Sequence, residues 1–154
     1  MKQPECEMVR VMTAEYSIGI DLGTTNSVLA YLSLHDFDAR PMVLPIPQLT
    51  APNQIESLPS LASFLLIPDA AQRSDGSLSA MGDRCVGEFA RRNAAEQPDR
   101  TVVAAKSWLG HRGVDRHAKI LPWQAPPEID GISPIDASAA YLSHLVQAWN
   151  QAFP

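Results

Sequence analysis

The sequence has 154 residues, of which 45% are hydrophobic and 19% charged, enough apolar material for one globular domain or a large part of one. A net charge of −5 gives no basic surface of the kind that nucleic acids require. Cys6 and Cys85 lack a CxxC spacing, which argues against structural zinc and disulfides and favours the cytoplasm. Residues 1–15 contain no membrane span or signal peptide, and we expect a flexible tail.

Three stretches predict β-strands. Ile18 and Ile20 alternate with small residues, which predicts a buried strand over 16–21 that ends in an acid. A β-prone run at 28–32 follows, and the two should form a hairpin. The apolar run 60–67 predicts a third buried strand. We therefore expect an α/β architecture with a mixed sheet and flanking helices.

The connections between these strands carry turn residues. The prolines between Arg40 and Pro59 exclude a long helix and leave short edge strands and loops. Asp69 to Ser79 is typical of a solvent loop. Gly113 to Gly131, with its three prolines, predicts a surface connection with at most short strands.

Three helices are expected in the second half. Val86 to Gln97 has helix formers and is stopped by a proline, and Val102 to Leu109 predicts a short turn that ends at Gly110. Ser133 begins the longest helix, with a Ser cap, a proline and an acid three residues later. Its expected buried face is Ile135, Ala139, Leu142, Leu145, Val146, Trp149 and Phe153.

The strand end at Asp21 carries the strongest chemical signal. The following Gly23, Thr24, Thr25 and Asn26 supply backbone N–H and hydroxyl donors for phosphate, and a carboxylate can hold hydrated magnesium. A plain hairpin turn would use similar residues. The buried acid shifts the balance toward a ligand, because a buried carboxylate without a partner is costly.

The run GIDLGTTNSVLAY resembles the first phosphate loop of the actin-like ATPases, whose lobes have a ribonuclease H-like fold, and its TTNS ending is most similar to the 70-kDa heat-shock (DnaK-type) chaperones. Three further segments resemble that family in the expected order: 58–61 its Thr-Pro-Ser strand start, 86–98 its VGxxAxxxAxxxP helix and 101–110 the segment that carries its catalytic lysine. SPIDASAAYL is similar to the helix that comes next.

The resemblance implies a catalytic role for Lys106, phosphate contacts for the turn, a metal role for Asp21, and ATP or ADP with Mg²⁺ as cofactors. A lysine ammonium beside the γ-phosphate can orient water and offset developing charge. It also implies an incomplete first lobe over residues 16–154, inactive or weakly binding alone. The rest of the nucleotide-binding domain, a peptide-binding domain and co-chaperones are the expected partners.

Two departures from the family leave alternatives open. Ser107 stands where the family has a basic residue, and the segment 33–58 is longer and richer in proline, which points to a divergent bacterial relative. A non-catalytic interaction module that keeps the fold is one alternative. A sugar kinase of the same superfamily is another, although it would not explain the AAKSWLG segment.

The remaining candidates have simpler interpretations. His111 and His117 are six apart in a loop and should be surface residues rather than metal ligands. The three tryptophans, Trp108, Trp123 and Trp149, are expected in core or inter-lobe packing rather than in a ligand cage. The adjacent Arg91 and Arg92 are expected on a solvated helix face.

Overall fold

The computed structural model describes residues 14–74 and 84–154, so most of the expected N-terminal tail lies outside the described residues. The described part is mixed α/β. Its strands are β1 (Tyr16–Leu22), β2 (Asn26–Ser33), β3 (Met42–Val43), β4 (Ile46–Ala51), β5 (Gln54–Leu58), β6 (Leu61–Ala62), β7 (Phe64–Leu66), β8 (Cys85–Val86) and β9 (Thr101–Val103). Its helices are α1 (Ala70–Ser74), α2 (Glu88–Asn93), α3 (Ala105–Leu109) and α4 (Pro134–Ala152).

The strands form three small antiparallel sheets. The predicted hairpin of β1 and β2 is confirmed, and its register runs from Tyr16 opposite Ser33 to Leu22 opposite Ser27. β3 and β6 pair with β2, β4 pairs with β5, and β7 lies between β8 and β9. Within residues 14–74 and 84–154 every ladder is antiparallel, so the parallel pairs of the expected mixed sheet are absent there. Short connections favour antiparallel neighbours.

The expected burial of β1 is wrong. Ile18 and Ile20 are each 45% exposed, and Asp21 is exposed as well. The reason is that β1 is an edge strand, which within the described chain pairs with β2 alone. At the start of β1, by contrast, Tyr16 packs against the Trp149 and Phe153 rings, with centroids 5.4 and 4.7 Å away.

Two predicted helices are shorter than expected because their first residues join a sheet. Val86 belongs to β8 rather than to α2, since Val86 lies opposite Leu65 of β7. Val102 and Val103 form part of β9, with Val102 on the other side of Leu65. Pairing with a buried central strand has outweighed the helical pattern.

The structure also tests the predictions for two connecting segments. Residues 70–74 of the expected 69–79 loop form α1, whose first turn is capped by a 2.8 Å hydrogen bond from Gln72 N–H to Asp69 Oδ1; residues 75–79 lie outside the described part. The expected 113–131 connection is confirmed, with a single bridge from Leu121 to Ile132 just beyond it.

The start of α4 confirms the predicted cap. Ser133 Oγ accepts a hydrogen bond from Asp136 N–H at 3.0 Å and donates one to Asp136 Oδ2 at 2.7 Å. Pro134 occupies the first turn, where its missing N–H costs nothing. None of the described helices has the length and apolar character needed to span a membrane.

The buried face of α4 differs from the predicted one. The expected Leu142 and Val146 are exposed, and so is Ala139. Leu145 is buried as predicted, and it forms one helical stripe with three residues that were not predicted: Ala137, Tyr141 and Ala148. The small alanine side chains let the helix lie close to its neighbours, and Tyr141 then fills the space between them. The predicted packing of the helix on the sheet holds at its C-terminal end, where Trp149 meets Tyr31 of β2.

Candidate functional site

The turn between β1 and β2 requires glycine at its first position. A Cβ added to Gly23 would lie 2.0 Å from the backbone oxygen of Asn26, so a side chain there would displace the turn. Thr24 and Thr25 are exposed, and their N–H groups meet no backbone acceptor among the described residues. The turn therefore presents backbone and hydroxyl donors to solvent, as phosphate-binding turns do.

Asp21 lies beside this turn at the end of β1, opposite Val28. Within the described part of the chain its carboxylate has no salt bridge, and no group of three or more potential ligand side chains could hold a metal ion. A cation at Asp21 would take its remaining ligands from water or phosphate, which is how Mg²⁺ commonly binds. Because Asp21 is exposed, the cost of burying an unpaired carboxylate no longer argues for a ligand here. The position of Asp21 beside the turn still does.

Lys106 lies in the first turn of α3 and is exposed. Ala104, the residue just before α3, adopts a left-handed conformation, with φ 55° and ψ 36°. This conformation turns the chain sharply between β9 and α3 and is unusual for a residue with a side chain. The neighbouring Ser107 is exposed too.

Two hydrogen bonds in the segment between β6 and β7 relate the turn to the lysine segment. Ser63 N–H donates to Thr25 O at 2.9 Å, whereas Phe64 O accepts from Gly87 N–H, on the β8 side, at 3.0 Å. Successive residues of an extended chain direct their backbone polar groups to opposite edges. Thr25 therefore lies on the edge away from β8, which is the β9 edge.

The start of β2 and the end of β9 consequently meet end to end. Asn26 lies opposite Ala62, and Val103 lies opposite Phe64 two residues later. A buried 2.9 Å hydrogen bond between Ser27 Oγ and Ser63 Oγ fixes the two segments beneath the turn. The structure thus brings the candidate phosphate turn to the segment that leads into α3. Among the described residues, no hydrogen bond or salt bridge joins the α3 lysine to the turn itself.

The sequence analysis missed a polar cluster behind these elements. Arg91 and Arg92 are not simply solvated: Arg91 Nη2 lies 2.7 Å and Arg92 Nε 2.9 Å from the carboxylate of the buried Glu88. Arg92 also donates to Thr50 O at 2.9 Å. The three- and four-residue spacings within one helix were the available signal. This cluster ties α2 to β4.

The smaller candidates have mixed outcomes. His111 and His117 are exposed, as expected, and Trp149 packs beside the core. Trp123 is 53% exposed, so core packing is wrong for this residue, whereas the alternative of inter-lobe packing stays a prediction. Trp123 lies in the proline-rich connection, where it stacks on Trp108 rather than entering the core.

A mixed α/β unit of this kind, with an open hairpin turn at its edge, is consistent with part of a nucleotide-binding domain. The chain is similar to the Chaperone protein DnaK of two Thermus thermophilus strains, with 30% identity over 143 residues. It is also similar to a Chaperone protein HscA homolog of Aliivibrio salmonicida, with 27% identity over 141 residues.

These matches cover 84 to 85% of the chain but 19% of each relative, so the chain spans about a fifth of the length of the curated relatives it matches. No family model matches the chain. The similarities support a relationship to the Hsp70 chaperones.

Proposed function

We propose that this chain is the first part of the nucleotide-binding domain of an Hsp70-type chaperone, an actin-like lobe that supplies one wall of an ATP site. The observation that carries the proposal is the meeting of the β1–β2 turn with the segment leading to Lys106, beside Ser63 and Phe64. These two segments are distant in sequence, and both resemble the parts of the family that contact phosphate.

Each residue has a role that suits its position. The turn from Gly23 to Asn26 offers N–H and hydroxyl donors to phosphate oxygens, and Asp21 would hold a hydrated Mg²⁺. Lys106 would orient water and offset charge near the phosphate. ATP, when bound, supplies the phosphoryl group that is transferred to water. The exposure of Asp21 and Lys106 fits residues that need ligands from outside this chain.

The uncovered side of β1 supports the proposal that further chain completes the domain. Ile18 and Ile20 are half-exposed, and the second edge of β1 has no strand partner in the described chain. Exposed apolar strand edges favour pairing with another segment. We propose the rest of the nucleotide-binding domain as that partner, with a peptide-binding domain and co-chaperones acting on the complete cytoplasmic protein.

Calorimetry of the 154-residue chain with ATP and Mg²⁺ is the first test. One wall of a cleft leaves the adenosine and the far side of the phosphates open to water, so binding should be weak and hydrolysis should stay at background. Micromolar or tighter binding would show that this chain forms a complete site.

Substitutions in a longer protein that contains this segment test the roles. Lys106→Ala should lower turnover by about two orders of magnitude or more, since one positioned electrostatic donor commonly contributes that much, with a smaller change in nucleotide affinity. Asp21→Asn should produce a defect that depends on Mg²⁺ concentration. Lys119→Ala is the matched control, because Lys119 is an exposed lysine already paired with Asp130. Single-turnover rates near wild type for a folded Lys106→Ala protein would assign the lysine a structural role.

One observation favours a second candidate, a non-catalytic interaction module. Ser107 is exposed beside Lys106 and adds no positive charge to the site. Such a module would fold and pair with its partners but show no turnover even when complete. The single-turnover experiment separates the two functions, because a wild-type rate at background in the complete protein would favour the module. The chaperone similarities weigh against the sugar kinase.

A further inference from the structure

A cavity opens in the loop that follows α3. It has a volume of about 500 Å³ and is bounded by the loop 109–117, with His111, Asp115, Arg116 and His117 in its wall. None of these residues belongs to the proposed phosphate turn, and none is assigned a role in nucleotide binding above. We refer to this cavity as the His111 pocket.

The ring of His111 is held in one orientation. Gly113 N–H donates to His111 Nδ1 at 3.2 Å, so the neutral ring carries its proton on Nε2. The Trp108 ring lies against it, with centroids 5.4 Å apart. A Cβ on Gly113 would lie 3.2 Å from His111 Cε1, which shows how closely the loop fits the ring. His111 therefore presents a positioned N–H donor.

The charged side chains of the pocket differ in whether they already have a partner within the chain. Asp115 Oδ1 accepts a 2.8 Å hydrogen bond from His117 N–H, which occupies part of its capacity. Arg116 is exposed, and its guanidinium has no salt bridge among the described residues. Its backbone oxygen accepts from Ile135 N–H at 3.4 Å, which anchors this part of the loop to α4. His111 Nε2 and the Arg116 guanidinium are thus available donors in the pocket, and Arg116 is charged.

An aromatic surface adjoins the pocket. Trp108 and Trp123 stack with centroids 4.7 Å apart and an interplanar angle of 28°, and Trp123 is 53% exposed. The three rings form a continuous row from Trp123 through Trp108 to His111. An exposed indole such as that of Trp123 is typical of protein interfaces.

We propose that the His111 pocket and the Trp123 surface bind an acidic protein segment. A carboxylate of the segment accepts hydrogen bonds from His111 Nε2 and the Arg116 guanidinium, and a neighbouring apolar side chain covers Trp123. Arg116 supports this partner, because its guanidinium has no salt bridge among the described residues and can form a charge-assisted pair with a carboxylate. The carboxylate of Asp115 in the same wall opposes the second negative charge of a phosphate, so a singly charged group fits better.

Fluorescence anisotropy tests the proposal directly. The probe is a short fluorescein-labelled peptide of Asp, Glu and Leu residues, titrated with the whole chain, and we expect saturable binding that weakens as salt is added. Arg116→Gln and Trp123→Ala should each weaken binding about tenfold, as expected for a lost charged hydrogen bond or an aromatic anchor. Gly113→Ala should also weaken it, because the histidine is retained but displaced. Arg40→Gln removes a charge from an exposed arginine outside the pocket and should leave affinity unchanged.

Competing ligands decide the remaining question. A peptide of Lys and Leu, inorganic phosphate and a single-stranded oligonucleotide are titrated in parallel, and we expect none to displace the acidic peptide. Displacement by phosphate or the oligonucleotide, equal losses in Arg40→Gln and Arg116→Gln, or no saturable binding of the acidic peptide would overturn the proposal. Circular dichroism confirms that each variant is folded. Because ATP is not the probe, failure here leaves the nucleotide proposal standing, and the reverse also holds.

Discussion

Two polar regions of this chain differ in whether their hydrogen-bonding groups have partners within the chain. The cluster around Gln48 and Glu88 is buried, and its groups are hydrogen-bonded within the chain. In the turn between β1 and β2, Thr24 and Thr25 are exposed, and their N–H groups meet no backbone acceptor in the described part of the chain. A buried polar group must be paired by the fold itself, whereas an exposed one remains available to a ligand. The first region contributes to stability, and the second is the proposed ligand site.

The buried cluster is organised by one side chain. Gln48 Nε2 donates to Ser60 O at 2.8 Å, and its Oε1 accepts from Glu88 N–H at 3.0 Å and from Ala62 N–H at 3.3 Å. Gly87 passes so close that a Cβ there would lie 2.7 Å from Gln48 Oε1, and its φ of 109° favours glycine. Gln48 therefore joins β4, β6 and α2.

The largest effect should come from Gln48→Ala. The change leaves buried groups of Ser60, Ala62 and Glu88 without their partner and creates a cavity, so the free energy of unfolding should fall by about 3 kcal/mol. Urea denaturation measures it. Gln54→Ala is the control, since Gln54 is exposed and contacts Glu56 through a single side-chain bond; its cost should stay within about 0.5 kcal/mol. Equal costs for both variants would contradict the contrast between the regions.

Gly23→Ala tests the open turn. A Cβ 2.0 Å from the Asn26 oxygen cannot be accommodated without a backbone shift, and such overpacking typically costs about 2 kcal/mol. Gly19→Ala is the matched control, because a Cβ at Gly19 meets nothing within 4 Å. Thermal unfolding of both variants decides the matter. A Gly23→Ala chain as stable as the Gly19→Ala chain would show that the turn is not held in this conformation.

The sequence predicted local features better than their environment. The cap at Ser133 and the hairpin were predictable because neighbouring residues determine them. The burial of Ile20 was not, because it depends on which elements cover β1. The strand character of Val102 likewise depends on pairing with β7, which is distant in sequence.

The candidate site follows the same division. The motifs predict functional roles for Asp21 and Lys106, and these roles stay predictions. The proximity of the two segments depends on Ser63, which no motif indicated. The salt bridges of Glu88 were within reach of helical spacing. The hydrogen bond between Gln48 and Glu88 joins residues 40 positions apart, so helical spacing could not predict it.

His144 extends the comparison to pH. Its Nε2 donates to Pro47 O at 2.8 Å, and burial lowers the pKa of His144, an effect that this hydrogen bond partly opposes. The unfolded chain binds a proton near pH 6.5, whereas the folded chain does so only at lower pH. Stability should therefore fall as the pH drops from about 6.5 to the folded pKa, and this contribution should not change further below it.

His144→Gln should keep a donor while removing this titration. Urea denaturation between pH 7.5 and 5, a range chosen to bracket the ordinary histidine pKa of about 6.5, should show a smaller loss of stability in the variant. At neutral pH the imperfect replacement should cost about 1 kcal/mol. His117→Gln, at an exposed site, should retain the wild-type pH dependence. An unchanged slope in His144→Gln would assign the acid sensitivity to other groups.

Tyr141 is one of two exceptions, among the described residues, to the rule that buried polar groups are paired; the other is Gln97 Oε1. Tyr141 lies on α4 with 1% of its surface exposed, and its hydroxyl has no partner among the described residues. Burial raises the pKa of Tyr141, so the group stays protonated across the physiological range.

Tyr141→Phe removes the hydroxyl while retaining the ring that fills the core. Because an unpaired buried hydroxyl carries a desolvation cost, the variant should be equally stable or more stable, by up to about 1 kcal/mol. The melting temperature measures this smallest effect, with Tyr141→Leu as a control that should lower it through lost packing. A clear destabilisation of Tyr141→Phe would mean that the hydroxyl is paired in solution, and Tyr141 would then join the buried, satisfied class represented by Gln48.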